Sequence, residues 1–275
     1  MRRAYLETSA INHAVDDGRD PTGLRLEWSE AGLVPVVGLH VIYELARTFL
    51  NPNTHARARR LFTFLQLLDP SYGPESRNLL MQEVVRLRTN AAVLPFLSCE
   101  NQAATRSEVA RLAAGTFDAQ ARRFIQEREM QRRGTEPAGM LDYVSHVRRL
   151  RETNPTSVNR IRTEDDLCLR FKAKMPQMIQ EILRRSVTLA EAKELFLRLR
   201  EFPALRATVY ANLALMLPCI TQGVPPRIDK LDDYRHVIEA AYCDLLVTDD
   251  HQLTARAKAI HPELHVAGFS DVIAG

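Results

Sequence analysis

Cysteines are few in this chain, and they form no pattern with a chemical use. Cys99, Cys168, Cys219 and Cys243 lie far apart with no Cys-x-x-Cys pair, so neither a cysteine zinc site nor a disulfide framework is suggested. Isolated thiols suit a reducing cytoplasm, which is the expected location. A leader pattern is also missing: Met1-Arg2-Arg3 is basic but runs straight into a strand-like segment, without the apolar core and cleavage site of a signal peptide. No apolar run reaches the ~20 residues a bilayer requires. The longest, Val209 to Ile220, contains Asn212 and Pro218 and reads as a buried helix. No membrane partner is expected. Internal repeats and low-complexity tracts are absent as well.

The length of the chain permits a substantial core. At 275 residues it exceeds a minimal domain by about one small domain, so an extra module is expected. Arg3-Ala4-Tyr5-Leu6 reads as a strand and Ile11 to Val15 as the start of a helix. Asp17-Gly18 and Pro21-Thr22-Gly23 are turn-forming and predict a loop before a second strand, Leu33 to Val37. From Val41 to Leu68 apolar residues recur at helical spacing, with Asn51-Pro52-Asn53 as a break. Between about Ser76 and Arg200 the chain is Arg-rich and helix-periodic, with almost no strand signal. Gly134-Thr135-Glu136-Pro137 and Asn154-Pro155 are breaks in it, while Thr163-Glu164-Asp165-Asp166 and Thr188 with Glu191 are capped helix starts. The chain returns to the sheet after Pro225-Pro226. This alternation predicts an α/β protein. Its expected form is a three-layer α/β/α core with a central parallel sheet, made by residues 1–75 and 201–275 and interrupted by a mostly α-helical insertion over 76–200.

Charge is unevenly placed. Residues 104–200 hold 20 Lys and Arg against 13 Asp and Glu, whereas the whole chain holds 37 against 34, so the basic surplus lies in the insertion. Arg122-Arg123, Arg132-Arg133, Arg148-Arg149 with Arg151, and Arg184-Arg185 are placed to meet phosphates, which the planar guanidinium grips with two parallel bonds. Arg122, Arg123, Arg148 and Arg149 are the candidate nucleic-acid contacts. The competing explanation is an ordinary solvated helix surface, with Glu127, Glu129 and Glu181 close enough to pair with these arginines. The insertion has few aromatics, Phe117, Phe124, Tyr143, Phe171 and Phe196, which favours backbone binding over stacked-base reading.

The carboxylates carry the sharpest signal. Glu7 closes the first strand, Glu44 follows the second, Asp233 opens a helical pattern, and Asp250 follows Leu245-Leu246-Val247-Thr248. In a parallel sheet, ligands bind outside the carboxyl ends of the strands, so all four are placed to meet at one edge. Crowded carboxylates repel one another and call for divalent cations. Each also has a plain structural role open to it: Glu7 a solvent-facing strand end, Glu44 a first-turn acid, Asp233 an N-cap, and Asp250 the cap of a helix over Gln252 to Ile260. Asp232 and Asp249 adjoin two of the four and compete for their roles. His236 shares a helix face with Asp233, where it can bond a carboxylate or a phosphate or simply pack. His251, His261 and His265 show no ligand spacing, which argues against a histidine-rich zinc site. Oxygen ligands suit Mg²⁺ or Mn²⁺.

The fragments Tyr5-Leu6-Glu7-Thr8-Ser9, Val41-Ile42-Tyr43-Glu44-Leu45, Asp233 to Ala241 and Leu246-Val247-Thr248-Asp249-Asp250 come in this order. In that order they resemble the motifs of the PIN-domain nucleases over about half the chain, roughly residues 3–70 and 205–275. Two positions depart from the family: Glu7 stands where it has Asp, and Gly38 where many members have Ser or Thr. The resemblance implies a metal-dependent endoribonuclease. Glu7 and Asp250 would be its main Mg²⁺ or Mn²⁺ ligands, completed by Glu44 and Asp233, with Ser9, Thr248, Asp249 and His236 supporting them by hydrogen bonds. RNA is the implied substrate. Two alternatives stay open, a catalytically weak PIN-like module that binds nucleic acid or protein through its insertion, and a toxin blocked by an antitoxin-like partner. A homo-oligomer is also open.

Overall fold

Arg2–Leu6 forms the first strand, β1, and Ala4, Tyr5 and Leu6 are all buried although successive side chains point to opposite faces. Both faces of the sheet are therefore covered at its centre, as a parallel sheet wrapped by helices requires. In this computed structural model the described residues are 1–130, 145, 148–149, 152, 160–224 and 228–274. The expected breaks at Gly134-Thr135-Glu136-Pro137 and Asn154-Pro155, together with Arg132, Arg133, Tyr143, Arg151 and Pro225-Pro226, lie outside them.

One five-stranded sheet has the order β3-β2-β1-β4-β5, with every neighbouring pair parallel. The other strands are β2 (Leu33–Gly38), β3 (Ser71–Gly73), β4 (Leu245–Val247) and β5 (His265–Ala267). Leu6 stands beside Val247 and Tyr5 beside Val36, so the two ends of the chain share one sheet as expected. Strands β2 and β3 build out on one side of β1, and β4 and β5 on the other. The direction of winding reverses between β1 and β4, which makes that junction the place where an open α/β sheet presents a crevice.

The helices are α1 (Thr8–Asp16), α2 (Pro21–Glu30), α3 (Leu39–Arg47), α4 (His55–Leu68), α5 (Ser76–Thr89), α6 (Cys99–Ala113) and α7 (119–130). They continue as α8 (Glu164–Arg170), α9 (Met175–Ile182), α10 (Leu189–Leu197), α11 (Pro203–Gln222), α12 (Ile228–Glu239), α13 (His251–Ile260) and α14 (Phe269–Ala274). Among the described residues of 76–200 there is no strand. Their buried side chains, from Leu79 through Val109, Ile125 and Leu167 to Leu195, belong to the same core cluster as those around the sheet. Helices α8 and α10 begin at Thr163 and Thr188, and both threonines make complete capping boxes, with Asp166 and Glu191.

Several local expectations are corrected. Pro21-Thr22-Gly23 opens α2 instead of a loop, because Asp20 caps Thr22 N and Gly23 N and proline suits the first helical turn. The loop expected there shrinks to the turn around Gly18, whose φ is 66°. Glu44 is not a first-turn acid but the sixth residue of α3, and Asp233 is neither a cap nor a helix start, since α12 begins at Ile228. Glu129 is not on a solvated surface: it is buried and holds Arg47 at 2.9 Å while accepting a hydrogen bond from Tyr43, which fastens α7 to α3. Helix α11 runs 20 residues, longer than its apolar core suggested, and is long and apolar enough to cross a membrane, yet half of its apolar stretch is buried against neighbouring helices.

Candidate functional site

The site begins at the end of β1. Glu7 caps α1, and its Oε2 accepts bonds from Ser9 N at 2.8 Å, from the Ser9 hydroxyl, and from Thr248 Oγ1 at 2.9 Å. Ser9 Oγ lies 3.1 Å from Thr248 Oγ1 and accepts from Asp249 N, so the ends of β1 and β4 are laced together at the winding reversal. The second carboxylate arrives from α3. Glu44 Oε2 accepts from the Thr8 hydroxyl and lies 3.0 Å from His236 Nε2, while Glu7 Oε1 is 3.7 Å from the same nitrogen. Glu7 and Glu44 thus meet around one buried imidazole.

His236 is held from behind as well. Its Nδ1 lies 3.4 Å from Tyr5 OH, and that hydroxyl donates to Glu239 Oε2 at 3.0 Å. Burial disfavours the imidazolium, but Glu44, Glu7 and Glu239 outweigh it and push His236 up to about 9. Burial also opposes ionisation of Glu44, but the His236 cation, the hydrogen bond from His236 and the neighbouring His40 ring hold its carboxyl far below the usual range. Burial lifts Glu239 to about 7 against the pull of His236 and Tyr5.

Asp250 and Asp233 join this centre less directly. Asp250 N donates to Thr248 Oγ1 at 3.2 Å, and Asp250 Oδ1 caps α13 through Gln252 N and Leu253 N, as its simplest role anticipated. Asp233 is half-buried and raised by burial, with Lys230 pulling the other way at 2.9 Å and Asp250 adding repulsion. Asp249 turns to His13 at 2.8 Å and to Phe269 N. The Glu7, Ser9, Thr248, Glu44 and His236 side chains are therefore one connected group; Asp250 is attached to it through Thr248 by its backbone, whereas Asp233 stands apart, tied through Lys230 to Gln252 on α13.

Two features escaped the sequence. His40 lies one helical turn before Glu44 on α3, and its ring meets the His236 ring with centroids 5.0 Å apart. The i, i+4 spacing from Glu44 was the available signal. The second is the reason for Gly38: a Cβ there would collide with Glu239 Oε2 and with Tyr5 OH. A serine or threonine cannot stand at the end of β2 while that pair supports His236. Gly38→Ala is accordingly expected to lower stability by about 1–3 kcal/mol, the usual cost of overpacking, as read by urea denaturation. A stability equal to wild type would mean the pair has room to move.

Of the proposed phosphate contacts, Arg122 is half-buried and Arg123, Arg148 and Arg149 are exposed. Arg122 lies over the Phe117 ring at 5.4 Å, Arg123 pairs with Glu127 at 2.9 Å, Arg148 approaches Glu152 at 3.8 Å, and Arg149 is exposed but also engaged. All four cysteines are free.

Comparison of the chain with family models, with characterised proteins and with solved structures finds no match. The class of the protein rests on its own architecture: a parallel α/β fold with a carboxylate and imidazole centre at the winding reversal of the sheet.

Proposed function

We propose that the chain is a metal-dependent phosphodiesterase, with RNA as its substrate and a PIN-like α/β/α core carrying a helical insertion over 76–200. The observation that carries this reading is the meeting of Glu7 and Glu44 outside the ends of β1 and β2, laced to the end of β4 through Ser9 and Thr248. In this reading Glu7, Glu44, Asp250 and Asp233 hold Mg²⁺ or Mn²⁺, and their all-oxygen set suits those ions. Such an ion would lower the pKa of a bound water and offset charge on the leaving oxygen. Ser9 and Thr248 fix the Glu7 carboxylate by donating to it. His236 supplies positive charge beside Glu44, where a phosphate oxygen can be received.

A second reading is favoured by that same charge. With His236 held at about 9, the centre carries its own cation at neutral pH, and the two glutamates are partly neutralised. A catalytically weak module that binds nucleic acid or a protein, an antitoxin-like partner included, fits this balance. Incubation with single- and double-stranded RNA and DNA, in Mn²⁺ and in EDTA, separates the two readings. Cleavage of RNA in Mn²⁺ alone supports the hydrolase; binding without cleavage supports the module.

Affinity is assigned to the arginines of the insertion, because a phosphate backbone needs positive charge near an acidic centre. Replacing Arg122, Arg123, Arg148 and Arg149 together with Gln should weaken single-strand binding about tenfold or more and lower its log–log salt slope by up to about 3. Unaltered affinity and slope would return these residues to helix surface.

A further inference from the structure

His40 is buried, and neither of its ring nitrogens has a hydrogen-bond partner. An unsatisfied buried imidazole costs about 1–3 kcal/mol, and such a group in a folded protein calls for a ligand or an ion. Its neighbours supply the rest of a coordination set. His40 Nε2 stands 3.5 Å from Glu44 Oε1, His236 Nε2 stands 3.0 Å from Glu44 Oε2, and one donor atom from each of the three residues falls within 4.8 Å of the other two.

We propose that His40, Glu44 and His236 form a binding site for a first-row transition-metal ion of imidazole preference, with Zn²⁺ the reference case. Ligands about 2.0–2.2 Å from a tetrahedral or octahedral ion stand roughly 3–3.5 Å apart. The two contacts, each to a different oxygen of Glu44, already have that spacing, and the chosen donor atoms all lie within 4.8 Å of one another. The outer contacts match what a ligating histidine requires. His236 Nδ1 faces Tyr5 OH, which donates to Glu239, so the ring can give its Nδ1 proton to the hydroxyl and leave Nε2 free for the ion. The Thr8 hydroxyl orients Glu44 from the other side. Two imidazoles and one carboxylate favour Zn²⁺ or Fe²⁺ over Mg²⁺, which takes oxygen ligands and keeps its waters. The cluster leaves coordination positions for water or substrate.

The inference shares Glu44 and His236 with the proposed phosphodiesterase centre, and an ion bound here displaces the His236 proton that the other reading uses; it stands on the cluster's own geometry, and its test reads binding instead of cleavage. Metal-stripped protein is titrated separately with Zn²⁺ and Mg²⁺ by calorimetry, and with Co²⁺ by visible absorption. One Zn²⁺ per chain, bound at least tenfold more tightly than Mg²⁺, with a Co²⁺ ligand-field band, is expected. His40→Gln should lose the band and weaken Zn²⁺ at least tenfold. His261→Gln, at another buried imidazole outside the cluster, should keep both. If His40→Gln does not fold, the wild-type titration decides alone. No Zn²⁺ preference over Mg²⁺, or full Zn²⁺ affinity in folded His40→Gln, overturns the site; loss of cleavage with Zn²⁺ binding intact overturns only the phosphodiesterase.

Discussion

Glu7→Gln is expected to reduce the proposed metal-dependent RNA cleavage by roughly 10³-fold while the protein stays folded. Metal stabilisation of a transition state contributes several kcal/mol, and each 1.36 kcal/mol is tenfold in rate, so losing about 4 kcal/mol gives this factor. Glutamine keeps the length of the side chain but removes the charge. It also sets an amide among Ser9 N, Ser9 Oγ and Thr248 Oγ1, all of which donate to the present carboxylate. The structural cost is bounded by the cap role at α1, about 1 kcal/mol, so circular dichroism should change little. Asp250→Asn should show a similar loss with an intact fold, since Asn caps a helix as well as Asp does. A wild-type rate in either variant would remove that carboxylate from the chemistry.

Glu83→Ala should produce the largest loss of stability, about 3 kcal/mol or more. Glu83 lies buried on α5, where its oxygens accept from Ala204 N at 2.8 Å, Leu205 N at 2.7 Å and Tyr242 OH at 2.7 Å. Helix α11 has no side-chain cap of its own at Phe202, so Glu83 caps it from another element. Each buried donor left unpaired costs about 1–3 kcal/mol. The non-titrating Glu83→Gln adds a test in pH. Burial lifts the Glu83 carboxyl from 4.5 to about 7, against the pull of its three donors. Between those values the folded chain keeps a proton that the unfolded chain has lost, so this contribution to stability falls as pH rises. The gap between wild type and Glu83→Gln should therefore be widest near pH 5 and narrow through about pH 7. Urea denaturation across that range measures it, and a gap that widens with pH contradicts the assignment.

The centre of the sheet was legible because hydrophobic runs mark it: Tyr5, Leu6, Val36, Val37 and Leu246 are buried where their sequence pattern placed them. The edge strands were not, since Ser71–Gly73 and His265–Ala267 are three residues each and carry no alternation to read. Caps at Thr163, Thr188 and Asp250 were readable because their chemistry is local. Proline misled at Pro21, where the same residue that ends helices begins one. Within the site, Glu7 followed from a strand end, whereas Ser9 and Thr248 were implied only by the resemblance of the fragments that hold them. The meeting of His40 with His236, and of Glu83 with α11, joins residues more than a hundred positions apart, which no spacing rule encodes. Gly38 was visible as a departure from a motif, but its cause, the Tyr5 and Glu239 side chains behind it, exists only in three dimensions.

The proposed function has Glu7 and Glu44 hold a divalent ion outside the ends of β1 and β2. Crystals soaked in Mn²⁺ and measured for anomalous scattering test it directly. An anomalous peak bonded to oxygens of both glutamates is the predicted result. No peak at that position, with His236 still 3.0 Å from Glu44, would contradict it.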